Sequence, residues 1–152
     1  MKQTVATSEL YKLRPQLAER NVRDITEAIK NKDFEKMSDI TMRDAMMMHA
    51  TMLDTKPPIL YLNDVSKDII YAIENMNAEA KKVIAAYTFD AGPNACVITL
   101  KKNKDKILKK LNEIDGVENV IICKTGEGPK ILGKNENLID TKALTPILKN
   151  KR

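Results

Sequence analysis

The sequence predicts an α+β domain in which helices come first and a small, mainly antiparallel sheet backed by helices follows. Apolar residues recur at helical spacing up to about residue 80, the spacing becomes that of strands from Lys82 onward, and a glycine-containing turn separates the strand segments. The chain has 152 residues, of which 43% are hydrophobic and 31% charged. Because this length and composition are typical of one globular domain, we expect residues 1–152 to form a single domain.

Three helices are predicted in the first half of the chain, after residues 1–6, which favour extended structure. They cover residues 16–30, 33–53 and 64–77, with Asp33 and the Asn63-Asp64 pair as candidate N-terminal caps. The apolar residues expected to face inward are Ala18, Val22, Ile25 and Ile29 in the first of these helices, and Ile69, Ile70, Ile73 and Met76 in the third.

The second half of the chain predicts the order strand, loop, strand, helix, strand. Residues 82–90 alternate as a strand, with Val83, Ala85, Tyr87 and Phe89 on one face, and residues 95–102 continue as a second strand. Residues 104–114 form a basic amphipathic helix, and residues 117–124 are rich enough in Val and Ile to predict a third strand. The last segment, 133–152, is expected to be a loosely packed tail.

Composition excludes several kinds of site. A single histidine is too few for a histidine-rich metal site, and two cysteines cannot form a framework of several disulfides. Cys96 and Cys123 both fall in predicted strands, so we expect them to be buried and inert in a reducing cytoplasm. No apolar run reaches the ~20 residues of a membrane span, and the N-terminus lacks the apolar core of a signal peptide.

The net charge of +5 is concentrated in residues 101–110 and 149–152. It indicates either a solvated face with a basic terminus or a surface that binds phosphorylated molecules or nucleic acid. Because the chain contains no Trp and only six Phe and Tyr residues, it offers few rings on which nucleic-acid bases could stack. We therefore expect neither a nucleic acid nor a membrane as its partner.

Asp90 is the first candidate for a catalytic group, because it ends an apolar strand directly before a Gly-Pro turn. A carboxylate held there by rigid backbone is well placed to act as a general base. Alternatively, Asp90 caps the turn by accepting backbone N–H bonds. Gly92 has no side chain, so the loop could bring backbone amides close to an anion, although the chain contains no P-loop motif.

Other candidates are weaker. His49 lies in an apolar helix and is expected to be a core or interface residue rather than a catalyst, since Asp44 and Asp54 are five residues away and off its face. The methionines at 46–48 are interpreted as adaptable packing. Residues 126–128, Gly-Glu-Gly, form either a plain turn or an anion-binding turn.

Five segments together resemble the diphosphomevalonate decarboxylase family, which belongs to the GHMP kinase superfamily. They are YTFDAGPNAC at 87–96, HATMLDTKPPILYLND at 49–64, TVATSELYKLR at 4–14, ITMRDA at 40–45 and TGEGPKIL at 125–132. The matches are collinear and cover essentially the whole chain. In the family, however, the segment that resembles MKQTV lies well inside the polypeptide, so the resemblance is to the C-terminal half only.

The resemblance implies a fold and a reaction. The fold is the superfamily's C-terminal domain, a small, mainly antiparallel, ferredoxin-like sheet covered by helices. The reaction is the ATP-dependent phosphorylation of the 3-hydroxyl of mevalonate 5-diphosphate, followed by loss of carbon dioxide and phosphate to give isopentenyl diphosphate for isoprenoid and sterol biosynthesis. The catalytic aspartate of the family's motif corresponds to Asp90. Residues Ala91, Gly92 and Asn94 of the same motif are expected to contact the substrate.

The resemblance also implies what this chain lacks. The family's ATP loop and its other substrate-binding residues belong to the N-terminal half, so we expect ATP and Mg²⁺ to act only in the complete enzyme. This chain alone is expected to hold no cofactor or metal and to have negligible activity. Its expected partners are the substrate, the missing half and a second copy in a homodimer.

Two alternatives stay open. Ala45, Met46, Lys56 and Glu127 depart from the family's usual residues. A decarboxylase acting on phosphomevalonate is therefore one alternative, and a non-catalytic binding or regulatory module derived from this domain is the other.

Overall fold

The structure, a computed structural model, describes residues 2–131. The helices within this range are α1 (Lys2–Thr7), α2 (Arg14–Lys30), α3 (Phe34–Leu53), α4 (Asp64–Ala80) and α5 (Lys104–Asn112), and the strands are β1 (Ala85–Phe89) and β2 (Ala95–Thr99). Short 3-10 turns at Leu10–Leu13 and Lys101–Asn103 precede α2 and α5. The structure confirms the predicted α+β class, in which the helices come first and an antiparallel sheet follows.

The chain divides into two compact units, Met1–Val120 and Ile121–Arg152. The first unit contains every helix and strand just named. Of the second unit, residues 121–131 are described, and they are exposed and form neither helix nor strand. The predicted tail at 133–152 lies outside the described residues, and the single domain over residues 1–152 stays a prediction.

The core of the first unit is built around β1. Tyr87 and Phe89 are 4% and 1% exposed, and Ala85 and Ala86 are inaccessible to solvent. The sequence predicted burial of one face, but the structure buries both, because α3 and α4 both contact this strand. Core residues from the helices and from the residue that precedes β1 are Met42, Ile69, Ile73, Met76, Ile84, Ile107 and Leu111.

Asn77 joins α4 to the start of β1. Its side-chain Oδ1 accepts hydrogen bonds from the N–H groups of Ile84 and Ala85 at 2.8 and 3.1 Å, and its Nδ2 donates to the Ala85 carbonyl at 2.9 Å. Between the helix and the strand, Lys81 takes the left-handed conformation, with φ 50°, and so reverses the chain. The buried amide of Asn77 therefore satisfies backbone groups that a neighbouring strand would otherwise pair with.

Polar side chains join α1 to the end of α3. Ser8 Oγ and the Leu10 N–H both donate to Asp54 Oδ2, at 2.8 and 3.0 Å, and the Lys56 N–H donates to Thr7 Oγ1 at 2.9 Å. The bond from the Leu10 N–H, and next the bond from Ser8, hold the pKa of Asp54 below its ordinary value. Two of the segments that carry the family resemblance thus lie side by side.

A charged network joins α2 to α3. Both terminal nitrogens of Arg14 donate to the Asp44 carboxylate, at 2.6 and 2.7 Å, and Asn21 Nδ2 donates to it at 2.8 Å. The hydrogen bond from Arg14 is the main cause that lowers the pKa of Asp44. Because the fork of a guanidinium matches the two oxygens of a carboxylate, this network fixes the rotation of α2 about its own axis.

That rotation contradicts half of the apolar face predicted for α2: Ala18 and Ile25 are half-buried, but Val22 and Ile29 are not. Val22 and Ile29 are 63% and 58% exposed, whereas Ala28 is 1% exposed. The stripe that faces α3 carries Arg14, Asn21 and Ala28 at seven-residue spacing. Apolar periodicity alone therefore placed the inward face too far toward Val22 and Ile29, because the inner side also carries the polar contacts of Arg14 and Asn21.

Two further predictions about secondary structure are wrong. Residues 2–7 form a helix rather than extended structure, since tertiary contacts such as the burial of Thr4 outweigh local propensity. The third strand predicted at 117–124 forms no ladder within the described residues. Val and Ile indicate strand propensity, but a strand also requires a hydrogen-bonded neighbour.

The prediction that both cysteines are buried is also wrong. Cys96 lies in β2 and Cys123 in the 121–131 segment, and both are exposed. Cys96 is exposed because its side chain points to the opposite face of β2 from Ala95 and Val97, which pack against the core. Cys123 is exposed because the strand predicted to bury it is not formed among the described residues.

Candidate functional site

The candidate site is the loop that connects β1 to β2. The pairing of Phe89 with Ala95 closes the hairpin, so residues 90–94 form a five-residue turn, called here the 90–94 loop. All four predicted site residues lie in it: Asp90, Ala91 and Asn94 are exposed, and Gly92 is half-buried.

Hydrogen bonds fix the path of this loop. Within it, the Gly92 N–H donates to the Asp90 carbonyl at 2.8 Å. From α4, Ser66 Oγ donates to the Pro93 carbonyl at 2.8 Å. Ser66 is completely buried and forms a capping box with Asn63 at the start of α4. The loop is therefore tied to the N-terminal end of a rigid helix.

His49 lies behind the loop, in the interior. Its Nε2 is 3.3 Å from the carbonyl oxygen of Phe89, the residue immediately before Asp90. The rings of Tyr61 and Phe89 contact the imidazole edge-to-face, with centroids 6.1 and 6.2 Å away. Since the side chain is only 4% exposed, the structure places His49 in the core, as the sequence favoured.

The two aspartates that flank His49 in sequence form no dyad with it. Asp44 is bound by Arg14, and Asp54 accepts from Ser8 and Leu10. Asp90 is thus the carboxylate that the 90–94 loop presents to solvent. Chemically, it can accept a hydrogen bond or a proton from a hydroxyl group placed above the loop.

Gly92 leaves open space beside the loop. A Cβ built on this residue would meet no other heavy atom within 4 Å, and its φ lies outside the left-handed region. Neither packing nor backbone conformation within this chain therefore requires glycine here. An absent side chain at this position leaves backbone amides accessible to a bound group.

The other sequence candidates lie elsewhere. The methionines at 46–48 are half-buried, and Met46 packs on the core, as expected of adaptable packing. Residues 126–128, predicted as a turn, are exposed in the second unit and have no assigned turn. A shallow groove of about 280 Å³ runs between α2 and α3; it is lined by Arg20, Asn21, Asp24, Asp39, Ile40, Arg43 and Met47.

One residue that holds the 90–94 loop, Ser66, was missed at the sequence level. Asn63 was recognised as a helix cap, but nothing indicated that Ser66 would reach the 90–94 loop. The spacing of a capping box, with the second residue three positions after the first, was the available signal. A capping box predicts a helix start, but it does not predict which loop packs on that start.

Among residues 2–131, no group of three His, Cys, Asp or Glu side chains lies close enough to hold a metal ion. In the same part of the chain, no helix combines the length and apolar character needed to cross a bilayer.

Comparison with known proteins gives a consistent result. A family model described as the mevalonate 5-diphosphate decarboxylase C-terminal domain matches residues 1–115. The diphosphomevalonate decarboxylase of Schizosaccharomyces pombe is 38% identical, over 92% of this chain and 43% of the relative. The enzymes of Debaryomyces hansenii and Rattus norvegicus are 36% and 35% identical, over 99% and 87% of this chain. This chain spans less than half the length of each of these relatives.

Solved structures agree. A crystal structure of mevalonate 5-diphosphate decarboxylase superposes with a TM-score of 0.74 at 33% identity, over 93% of this chain and 46% of that one. The mevalonate diphosphate decarboxylase of Enterococcus faecalis gives a TM-score of 0.70 at 31% identity, over 78% of this chain and 36% of that one. That structure is described with a mevalonate diphosphate mediated ATP binding mechanism. A structure of MDDEF in complex with MVAPP, AMPPCP and magnesium gives a TM-score of 0.70 at 30% sequence identity. The match covers 76% of this chain and 35% of that one.

Proposed function

This chain belongs to the mevalonate 5-diphosphate decarboxylase family, and on that premise we propose that it is the C-terminal part of a diphosphomevalonate decarboxylase. The complete enzyme would phosphorylate the 3-hydroxyl of mevalonate 5-diphosphate with ATP and release carbon dioxide and phosphate to form isopentenyl diphosphate. The 90–94 loop is the part of that active site which this chain contributes. The product of the complete enzyme would supply isoprenoid and sterol biosynthesis in the cytoplasm.

Asp90 is the proposed catalytic residue. Its carboxylate accepts a hydrogen bond from the substrate's tertiary hydroxyl, orients the oxygen for attack and takes up the proton as the new bond forms. The Ala91 amide and Asn94 would line the substrate's side of the loop, beside Gly92, which has no side chain to block it. Because all four residues share one five-residue turn, a single loop placement positions them together.

One observation carries this proposal. Asp90 is exposed, and the hydrogen bonds that hold its loop use the main-chain carbonyls of Asp90 and Pro93 rather than the carboxylate, which argues against the alternative role as a turn cap. The loop is held instead by the Gly92 N–H and by Ser66, which leaves the carboxylate free to meet a substrate. An exposed carboxylate on an anchored backbone is what a general base requires.

The described residues by themselves do not fit Mg²⁺, and the family resemblance assigns ATP to the N-terminal half. Mg²⁺ takes several oxygen ligands, and Asp90 supplies only one carboxylate. Within residues 2–131, no two other Asp, Glu, His or Cys side chains lie close enough to Asp90 to complete a metal site. We therefore derive no step through the metal. The N-terminal half, absent from this chain, is proposed to supply the binding site for both.

The proposal is tested by complementation. This chain is mixed with a polypeptide comprising the N-terminal half of the Schizosaccharomyces pombe relative, and ATP-dependent release of carbon dioxide from mevalonate 5-diphosphate is measured. Activity should require both polypeptides and should fall by about 100-fold or more in Asp90→Asn, the loss typical of a removed general base. Asp68→Asn, at an exposed position on α4, is the matched control and should retain activity.

The alternatives predict different outcomes of the same assay. Faster turnover of phosphomevalonate than of the diphosphate would favour the monophosphate decarboxylase. No carbon dioxide from any mixture, or full activity in Asp90→Asn, would contradict the catalytic role and favour a binding module. A homodimer is proposed only from the family resemblance, and sedimentation of the mixture would measure it.

A further inference from the structure

We propose that His49 is a positioning residue, whose Nε2–H holds the peptide bond between Phe89 and Asp90 and thereby fixes the direction of the Asp90 carboxylate. This inference rests on the catalytic role proposed for Asp90. It assigns to the buried histidine a function that the sequence did not indicate. His49 itself would touch neither substrate nor the reacting atoms.

The geometry around the imidazole supports a fixed orientation. Its Nε2 lies 3.3 Å from the Phe89 carbonyl oxygen, which can only accept a hydrogen bond, so Nε2 must be the protonated nitrogen when this bond forms. Tyr61 and Phe89 contact the ring edge-to-face at 77° and 79°. These two rings restrict rotation of the imidazole plane, so that the N–H points at one acceptor.

The burial of His49 argues against a role in proton transfer. A general acid or base must come within about 3 Å of the group it serves, directly or through one water. His49 is 4% exposed, and its Nε2 already faces a main-chain carbonyl. The group that it can influence is therefore the backbone immediately before Asp90.

The held peptide determines where Asp90 points. On its N-terminal side, Asp90 follows the carbonyl that His49 contacts, and on its C-terminal side the loop is tied to Ser66 through Pro93. Only Asp90, Ala91 and Gly92 lie between these two attachments. Because a short segment fixed at both ends has few conformations, loss of the His49 bond should free the end nearer to the carboxylate.

The first test measures the loop itself and needs no activity. His49 is the only histidine in the chain, so its imidazole nitrogen resonances are identified without further assignment. Long-range ¹H–¹⁵N spectra of the unmodified chain should show the proton on Nε2 and a bare Nδ1. A proton on Nδ1 in the neutral ring would overturn the proposal.

The second test compares His49→Leu with His49→Gln by ¹⁵N relaxation. Leu removes the donor, whereas the Gln side-chain amide can still donate to the Phe89 carbonyl. We expect the order parameters of the Asp90 and Ala91 amides to fall from about 0.85 to below about 0.6 in His49→Leu, and to stay high in His49→Gln. The Ala85 amide, which Asn77 holds, is the internal control and should not change.

The third test uses the complementation mixture described above. In His49→Leu, kcat should fall on the order of 10- to 100-fold with KM unchanged, because the base is misdirected while substrate binding remains, and His49→Gln should restore most of the loss. A rise in KM alone, or equal losses in Leu and Gln, would overturn the positioning role. If even the unmodified mixture is inactive, the decarboxylase proposal fails, and the imidazole spectra and relaxation data still decide whether His49 holds the loop.

Discussion

The two ends of β1 are held in the same way but to different extents. At its start, Asn77 from α4 forms three hydrogen bonds of 2.8 to 3.1 Å with the backbone of Ile84 and Ala85. At its finish, His49 from α3 forms a single contact of 3.3 Å with the Phe89 carbonyl. Both side chains are buried, at 8% and 4% exposure. The closely bonded end joins two core elements, and the end with the single contact leads to the exposed loop that carries Asp90.

This difference indicates a division of roles along one short strand. The Asn77 end fixes the start of β1 against α4, since its three hydrogen bonds pair two backbone N–H groups and one carbonyl that would otherwise be unpaired in the core. The His49 end determines how the chain leaves the core. We therefore expect substitutions at the first end to change stability, and substitutions at the second end to change the loop more than the fold.

Asn77→Ala should have the largest effect on stability. It removes three hydrogen bonds and leaves two N–H groups and one carbonyl unpaired in the core, which should lower the free energy of unfolding by about 2–4 kcal/mol. Urea denaturation followed by circular dichroism measures the change.

Asn103→Ala is the matched control for this substitution. Asn103 Nδ2 donates to the Ile84 carbonyl at 3.3 Å, but Thr99 Oγ1 donates to the same oxygen at 2.7 Å, so the carbonyl stays paired. Its loss should be under about 1 kcal/mol. Equal losses at Asn77 and Asn103 would contradict the division proposed for β1.

Ser66→Ala should have an intermediate effect, because it removes both the capping box of α4 and the bond to the Pro93 carbonyl. We expect a loss of about 1–2 kcal/mol, together with greater mobility of the 90–94 loop. Ser38→Ala is a matched control, since Ser38 is equally buried but its Oγ has no hydrogen-bond partner among residues 2–131. That control should be neutral or slightly stabilising, and a loss as large as that of Ser66→Ala would contradict the assigned contacts.

Acid should destabilise the α1–α3 junction, and this effect is the smallest of the three. The pKa of Asp54 is lowered by the Leu10 N–H and by Ser8, so its contribution is complete above the ordinary value of 3.8. That contribution is lost as the pH falls through the lower pKa of the folded state. Asp54→Asn should therefore reduce the loss of stability below about pH 4, as measured by urea denaturation across pH.

Part of this acid dependence should survive in Asp54→Asn, because the pKa of Asp44 is also lowered, chiefly by Arg14. Asp68→Asn, at an exposed position on α4, serves as the reference substitution. An unchanged acid profile in Asp54→Asn would show that the bonds from Ser8 and Leu10 add nothing to stability.

Sequence patterns predicted the parts of the fold that depend on local periodicity. The helices α3 and α4, the two strands and the loop between them occur close to their predicted places, because apolar spacing and capping residues act within the segments that carry them. The apolar face of α2 was predicted only in part. Ala18 and Ile25 are half-buried, but Val22 and Ile29 are exposed, since Arg14 and Asn21 turn toward a carboxylate thirty and twenty-three residues away. Such pairings have no local signal.

The candidate site was predicted in the same uneven way. Asp90 could be proposed from its place between an apolar strand and a Gly-Pro turn, and the family resemblance pointed to the same residue. The residues that hold its loop, Ser66 and His49, could not be proposed as a set, because they come from two helices that only the folded chain brings to one hairpin. Predicting which side chains carry chemistry is therefore easier than predicting which side chains position them.

One helix contacts both the start of β1 and the loop that follows it. Ser66 in the first turn of α4 reaches the 90–94 loop, and Asn77 near its end reaches the start of β1. The eleven-residue step from Ser66 to Asn77 corresponds to about 16 Å of helix. The length of α4 is thereby matched to the length of the strand that it accompanies. Inserting or deleting one residue between them would turn one side chain by about 100° away from its partner, so this helix can vary in sequence but not in length.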